Sequence, residues 1–90
     1  MAKGSCHCVA VSFEVTGSLR DVIYCHCKQC RKQSGHFFAA TRAQDRSLKV
    51  TGSESLTWYE ASADARRGFC STCGSLMFWK AHDSENTSIM

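Results

Sequence analysis

The sequence predicts a small, mainly β protein with few or no helices, held together by metal. Three observations point there. Short apolar runs recur at close spacing between polar or glycine-containing turns, and one run alternates strictly between apolar and polar side chains. No stretch carries the 3.6-residue periodicity of a long amphipathic helix. Ninety residues, 43 % hydrophobic when the seven cysteines are included, fit one domain, 1–90, and build only a thin core. Domains of this size commonly make up the deficit with disulfides or a metal.

The elements follow in order. Val9, Val11, Phe13 and Val15 face one way and Ala10, Ser12 and Glu14 the other, a strand with one face on the core. Thr16-Gly17-Ser18 ends it as a turn. Asp21–Tyr24 gives a second short strand running into Cys25. The polar stretch Lys28–Gly35 reads as a turn or one short helical turn, and His36–Thr41 as a third strand. Leu48–Thr51 stops at Gly52, and Leu56–Tyr59 follows a polar turn. Gly68-Phe69 enters the last cysteine cluster and Leu76–Trp79 leaves it. Ser88-Ile89-Met90 looks like a strand barely begun, with a frayed tail as the alternative. Trp58, Tyr59, Phe78 and Trp79 are expected in the core.

The formal net charge of +3 argues against a nucleic-acid binder, which normally shows a more extreme balance. Met1–Cys6 lacks the apolar core of a signal peptide, and no stretch is long and apolar enough to span a membrane as a helix. The expected location is therefore the cytoplasm, where thiols stay reduced. An odd cysteine count also fits a disulfide framework badly. Metal is the better explanation of the thiols.

All seven cysteines lie in three clusters: Cys6-His7-Cys8, Cys25-His26-Cys27-Lys28-Gln29-Cys30 and Cys70-Ser71-Thr72-Cys73-Gly74. The last is a knuckle, in which two intervening residues let a tight turn aim both sulfurs at one tetrahedral metal and Gly74 tolerates a left-handed backbone. One intervening residue in Cys6-His7-Cys8 puts both sulfurs on the same side of an extended strand. The two pairs can join in a closed four-sulfur site stapling the first strand to the last hairpin. The triplet then keeps three ligands and a fourth position for water, a thiol or a side chain. Four protein ligands on zinc build structure, whereas three leave a place for substrate. A closed Cys3His site would need His7, His26, His36 or His82, and His26 points away from its flanking cysteines. Spacing alone leaves the pairing of clusters open, and iron suits tetrahedral thiolates too. A structural zinc contributes roughly 10–16 kcal/mol of apparent binding energy, so the metal-free chain is expected to fold poorly.

These clusters resemble a known family. Gly4-Ser5-Cys6-His7-Cys8 with Val11 and Phe13, then Cys25-His26-Cys27-Lys28-Gln29-Cys30-Arg31 with Gly35 and Phe37-Phe38, then Phe69-Cys70-Ser71-Thr72-Cys73-Gly74-Ser75, look like the glutathione-dependent formaldehyde-activating enzymes, whose eukaryotic relatives include centromere protein V. Leu48, Val50, Thr51, Gly52 and Tyr59 fit the same pattern. The resemblance runs from Gly4 to about Phe78. It implies a β-tent of stacked antiparallel sheets holding two zinc ions. Residues matching Cys6, Cys8, Cys70 and Cys73 would hold the structural zinc, and those matching Cys25, Cys27 and Cys30 the second, open one. Two departures stand out. Val9 replaces the glycine usual just after the first cysteine pair, and family domains continue with further strands past the position of Met90, so the chain reads as naturally short or truncated.

The implied activity is that of a carbon–sulfur lyase which, in reverse, joins glutathione and formaldehyde into S-hydroxymethylglutathione. Lys28, Arg31 and Lys32 flank the triplet and are candidates for the carboxylates of glutathione or a similar thiol, with plain solvation as the alternative. Arg66 and Arg67 precede the last pair and offer similar charge. Two readings of other classes stand beside the enzyme: a non-catalytic zinc-stabilised module binding protein or nucleic acid, and a zinc-buffering or thiol-redox protein.

Overall fold

The computed structural model describes residues 1–90 as nine strands, one short α-helix and two single-turn 3-10 helices, Asp45–Ser47 and Ser53–Ser55. The strands are β1 (Ala2–Ser5), β2 (Ser12–Val15), β3 (Ile23–Cys25), β4 (Phe38–Gln44), β5 (Leu48–Thr51), β6 (Leu56–Glu60), β7 (Ala65–Cys70), β8 (Leu76–Ala81) and β9 (Asn86–Ile89). Helix α1 (Lys28–Ser34) lies between β3 and β4. A three-stranded sheet, β1-β2-β5, stacks on a six-stranded one, β3-β4-β9-β8-β7-β6. Every pairing is antiparallel. The predicted mainly β class of stacked antiparallel sheets is what the chain adopts.

The core lies between the sheets. Val11, Val15, Cys6, Cys70, Met77, Phe78 and Ile89 are buried there, with Phe13, Leu48, Val50 and Trp58 packed against them. Phe13 of the small sheet meets Phe78 of the large one edge-on, with ring centroids 5.8 Å apart. Cys6 and Cys70 are core residues in their own right, 3 % and 0 % exposed. The metal-ligand set thus grows directly out of the hydrophobic contact.

Strand alternation gives the large sheet two distinct faces. Trp58, Gly68 and Phe78 are directly opposite one another across β6, β7 and β8, and Ile89 continues the row on β9. That row faces the core. One residue along, Arg42, Ser88, Trp79 and Arg67 form the next row, across β4, β9, β8 and β7. Successive strand residues point to opposite faces, so this row lies on the far side of the sheet. Arg66 and Arg67 accordingly part company. Arg66 stacks its guanidinium 4.2 Å from the centre of a Trp58 ring on the core side, and Arg67 projects to the other face.

Several expectations are corrected. The strand read from Val9 starts only at Ser12, because residues 6–11 form the loop of the β1–β2 hairpin. Cys6 N–H donates to Val11 O at 2.9 Å and Val9 N–H to Cys6 O at 3.2 Å, closing a turn that the alternation pattern disguised. The first cysteine pair is therefore on a turn, not an extended strand. The Lys28–Gly35 stretch is a two-turn helix, longer than expected, capped by Cys27 at its start and by Gly35 at φ 80°. Tyr59 is 52 % exposed and not a core residue. For Ser88–Met90 the strand reading holds over its frayed-tail alternative, with the strand beginning earlier, at Asn86. β9 lies in the middle of the large sheet, and Thr87, Ser88 and Ile89 are buried. Its polar residues find partners, Thr87 Oγ1 donating to Asp45 Oδ1 at 2.5 Å.

Candidate metal centres

Two hairpin tips build the first site. The β1–β2 loop supplies Cys6 and Cys8, and the β7–β8 loop supplies Cys70 and Cys73. The second tip is a knuckle as predicted: Gly74 N–H donates to Cys70 O at 2.7 Å, and Gly74 has φ 78°. The first tip pays a conformational penalty, since Val9 adopts φ 67°, a region that β-branched residues very rarely enter. Val9 is the residue that replaces a glycine in the resemblance. The tips are tied by His7 N–H donating to Ser75 Oγ at 3.3 Å. Gly52 of the following strand turn supports the first tip at close range. Its φ is 82°, and a Cβ there would lie 1.9 Å from Ala10 O.

The four sulfurs lie within 4.8 Å of one another. Cys6 and Cys8 are 3.7 Å apart, and Cys8 and Cys70 are 3.8 Å apart. Tetrahedral zinc with bonds of about 2.3 Å holds its sulfurs about 3.8 Å from each other. The donor set and its spacing therefore fit a closed tetrahedral metal. Without a metal the thiols titrate unequally. Ser75's hydroxyl and backbone N–H draw Cys73 down to about 5. The Ala10 N–H lowers Cys8, but burial and the three surrounding thiols reverse this and push it up to about 11. The Val11 N–H, bonded to Cys6 Sγ at 3.4 Å, lowers Cys6 against its burial.

The second site comes from a single hexapeptide on the opposite face of the large sheet. Cys25 ends β3, Cys27 caps α1, and Cys30 lies in the first helical turn. The cap makes Cys27 Sγ an acceptor for Cys30 N–H at 3.3 Å. The Sγ atoms of Cys27 and Cys30 are 3.1 Å apart and those of Cys30 and Cys25 3.2 Å. This trio is tighter than a metal would hold it and must open by about 0.6 Å to accept zinc. Only the three sulfurs converge here, and no histidine nitrogen joins them. His26 and His36 instead pack against Phe37, at ring distances of 5.0 and 4.4 Å. His82 pairs with Glu60 at 3.2 Å.

Arg67 reaches the triplet from β7. It is 3 % exposed, and its guanidinium donates to Cys30 Sγ at 3.4 Å and to Gln33 Oε1 at 2.9 Å. No carboxylate pairs with it, and its Nε has no partner. A buried cation is costly unless its N–H groups find acceptors, and Gln33 Oε1 and Cys30 Sγ are the acceptors in reach. Burial raises the Cys30 thiol to about 11 despite Arg67, whereas hydrogen bonds from the Cys30 thiol and backbone N–H bring Cys27 down to about 7. Sequence reasoning noticed Arg67 as one of a basic pair but had no means of deciding which of two neighbouring arginines faces the cysteines.

The other basic candidates sit apart from the sulfurs. Lys28 and Lys32 line an open depression with Gln29, Gln33 and Tyr59, and Arg31 is exposed on the same helix. The half-open cavity beside the sulfurs, about 230 Å³, is lined instead by Arg20, Arg42 and Arg67 together with Cys25, Cys30 and five further residues. None of the helices is long and apolar enough to cross a membrane.

Fold and donor sets together define a small antiparallel β protein able to hold two metal ions on cysteine, one through four sulfurs and one through three. The family model described as glutathione-dependent formaldehyde-activating enzyme matches residues 1–90, and the chain belongs to that family. Two relatives carry that enzyme name provisionally. One, from Talaromyces marneffei, is 35 % identical over 83 residues, covering 86 % of this chain and 43 % of its own length. The other, from Halomonas elongata, is 35 % identical over 86 residues, covering 87 % and 55 %. A crystal structure of a Rhodobacter sphaeroides protein superposes with a TM-score of 0.79 at 31 % identity, over 98 % of this chain and 83 % of the other. The chain thus spans about half the length of the two named relatives.

Proposed function

We propose that residues 1–90 form one zinc-binding unit that makes or cleaves the S-hydroxymethyl adduct of glutathione, or a similar thiol, with formaldehyde. In the direction of synthesis the thiol adds across the carbonyl: a carbon–sulfur bond forms, the C=O π bond breaks, and the thiol proton ends on oxygen. Cys6, Cys8, Cys70 and Cys73 hold a structural zinc, and Cys25, Cys27 and Cys30 a second one. When bound at the triplet, zinc supplies a positive centre that favours the thiolate, the nucleophilic form of a thiol.

The observation that carries this reading is the convergence of three sulfurs, and no fourth protein ligand, beside a cavity. The chain's own residues do the rest. α1 and β3 fix the sulfurs' direction, and Arg67 offsets the negative charge of three thiolates. Lys28, Arg31 and Lys32 are proposed to meet an anionic part of the thiol outside that cavity. Membership of the family supports glutathione and formaldehyde as substrates. Seven free thiols suit a reducing compartment, which supports the cytoplasm.

The test is metal content per chain, before and after adding glutathione, with formaldehyde turnover measured in parallel. Two zincs are expected, with glutathione perturbing one of them. Cys27→Ser should retain the first zinc, lose the second and lose turnover. Turnover that survives loss of the second zinc would remove the triplet from the chemistry.

A further inference from the structure

The cavity beside the triplet has a charge pattern that the proposed thiol chemistry does not itself require. Three of its ten lining residues are arginines and none is acidic. Two of them are set by sheet register. Arg42 and Arg67 stand at either end of a cross-strand row with Ser88 and Trp79 between them. Arg20 is fastened from the preceding loop: its backbone N–H donates to Arg42 O at 3.0 Å, and its guanidinium to Ala40 O at 3.3 Å. No carboxylate pairs with any of the three. Arg67 is buried and turns its guanidinium to Cys30 Sγ and Gln33 Oε1, which leaves Arg20 and Arg42 as the cations free to meet a ligand.

We infer that this cavity is a carboxylate subsite and that Arg20 and Arg42 select thiols bearing a carboxylate over neutral ones. The inference rests on the reading that the triplet receives a thiol. A guanidinium presents parallel N–H groups matching the two oxygens of a carboxylate, and the flanking apolar surface of Trp79 and Ile23 suits the hydrocarbon arm that carries it. At about 230 Å³ the space is smaller than the roughly 300–1,000 Å³ that encloses a drug-sized ligand. It therefore takes one short arm of the substrate, with the sulfur at Cys25 and Cys30 and the carboxylate on the arginines.

Calorimetric titration of the zinc-loaded chain tests this with three probes: 3-mercaptopropionate, 2-mercaptoethanol and propionate. Mercaptopropionate should bind about 10- to 100-fold more tightly than mercaptoethanol, the range expected for hydrogen bonds to a charged group. Arg42→Gln, at an exposed strand position, should erase most of that preference and leave mercaptoethanol affinity unchanged, and Arg20→Gln should act in the same direction. Zinc content is measured alongside, so that extraction of metal is not read as binding. Equal affinity for the two thiols, or a preference that survives in the double variant, overturns the carboxylate subsite and leaves the thiol reading standing. Propionate binding that depends on Arg42 and equals that of mercaptopropionate, with no binding of mercaptoethanol, keeps the subsite and removes the thiol reading. Binding of none of the three removes both.

Discussion

The two cysteine sites lie on opposite faces of one sheet and are built by opposite means. The four-sulfur site joins loops 62 residues apart in sequence, buries two of its ligands in the core, and already has sulfur spacings suited to a metal. The three-sulfur site comes from six consecutive residues, leaves Cys27 exposed, and is compressed to 3.1 and 3.2 Å. The first links distant strands, so a metal held there would be part of the fold. The second is confined to the end of β3 and the start of α1, so a metal held there could respond to a ligand with little consequence for the rest. Under the proposed function, the way each site is tied to the core, more than its number of cysteines, separates structure from chemistry.

The largest test of that contrast is a pair of serine substitutions. Cys70→Ser should leave the chain unfolded at 25 °C, because the roughly 10–16 kcal/mol of a structural zinc exceeds or matches the 5–15 kcal/mol of a typical domain's whole stability. Cys27→Ser should keep the fold within about 1 kcal/mol, since serine is itself a good helix cap. Circular dichroism melts with metal analysis read both. Comparable destabilisation by the two variants would break the comparison.

Gly52→Ala comes next, at a cost of at least about 2 kcal/mol, because the left-handed backbone and the approach to Ala10 O both forbid a Cβ. Its damage should fall on the first hairpin tip, lowering zinc affinity at the four-sulfur site and sparing the triplet. Val9→Gly works in the opposite direction. Relieving φ 67° on a β-branched residue should stabilise the chain by about 1 kcal/mol after glycine's greater unfolded-state entropy is subtracted. That corresponds to a melting temperature higher by roughly 4–8 °C.

The smallest effect belongs to a region remote from both sites. Asp45 is partly buried, which raises its carboxyl, but the Lys80 ammonium and Thr87 hydroxyl outweigh this and hold it below its ordinary 3.8. A carboxyl lowered on folding stabilises above its unfolded value, and the contribution fades as pH falls through the lower folded value. Asp45→Asn should therefore cost no more than about 1 kcal/mol at neutral pH, the range of a half-exposed pair. The difference from wild type should vanish in acid, as followed by urea unfolding from about pH 6 downward. Zinc content at both sites should not change.

The legible parts of the molecule were the local ones. Cysteine spacing marked out the groups because a knuckle or a CxCxxC run restricts the reach of its own sulfurs. The strand alternation from Ser12 to Val15 survived folding for the same reason. The errors came where distant contacts overrode local preference. Val9 reads as a strand residue by propensity, yet a hairpin tip bound to a second tip holds it left-handed. The strand foreseen at Ser88 begins two residues earlier, because Asp45 and the neighbouring strands accept the polar Asn86 and Thr87 into the sheet's interior. The arginines of the cavity were unreadable because alternation separates Arg66 from Arg67 without saying which face holds the triplet.

The central place of β9 has a consequence for how the chain is made. β4 and β8 reach each other only through β9, the latest of the nine strands in chain order, so their sheet stays split until residues 86–89 have emerged from the ribosome. The hexapeptide of the triplet can gather its sulfurs while translation continues. The four-sulfur site must wait for the β7–β8 tip, and its sheet for β9. A nascent chain therefore acquires its reactive thiol cluster before it has a finished core to shield it, and high contact order lengthens that interval.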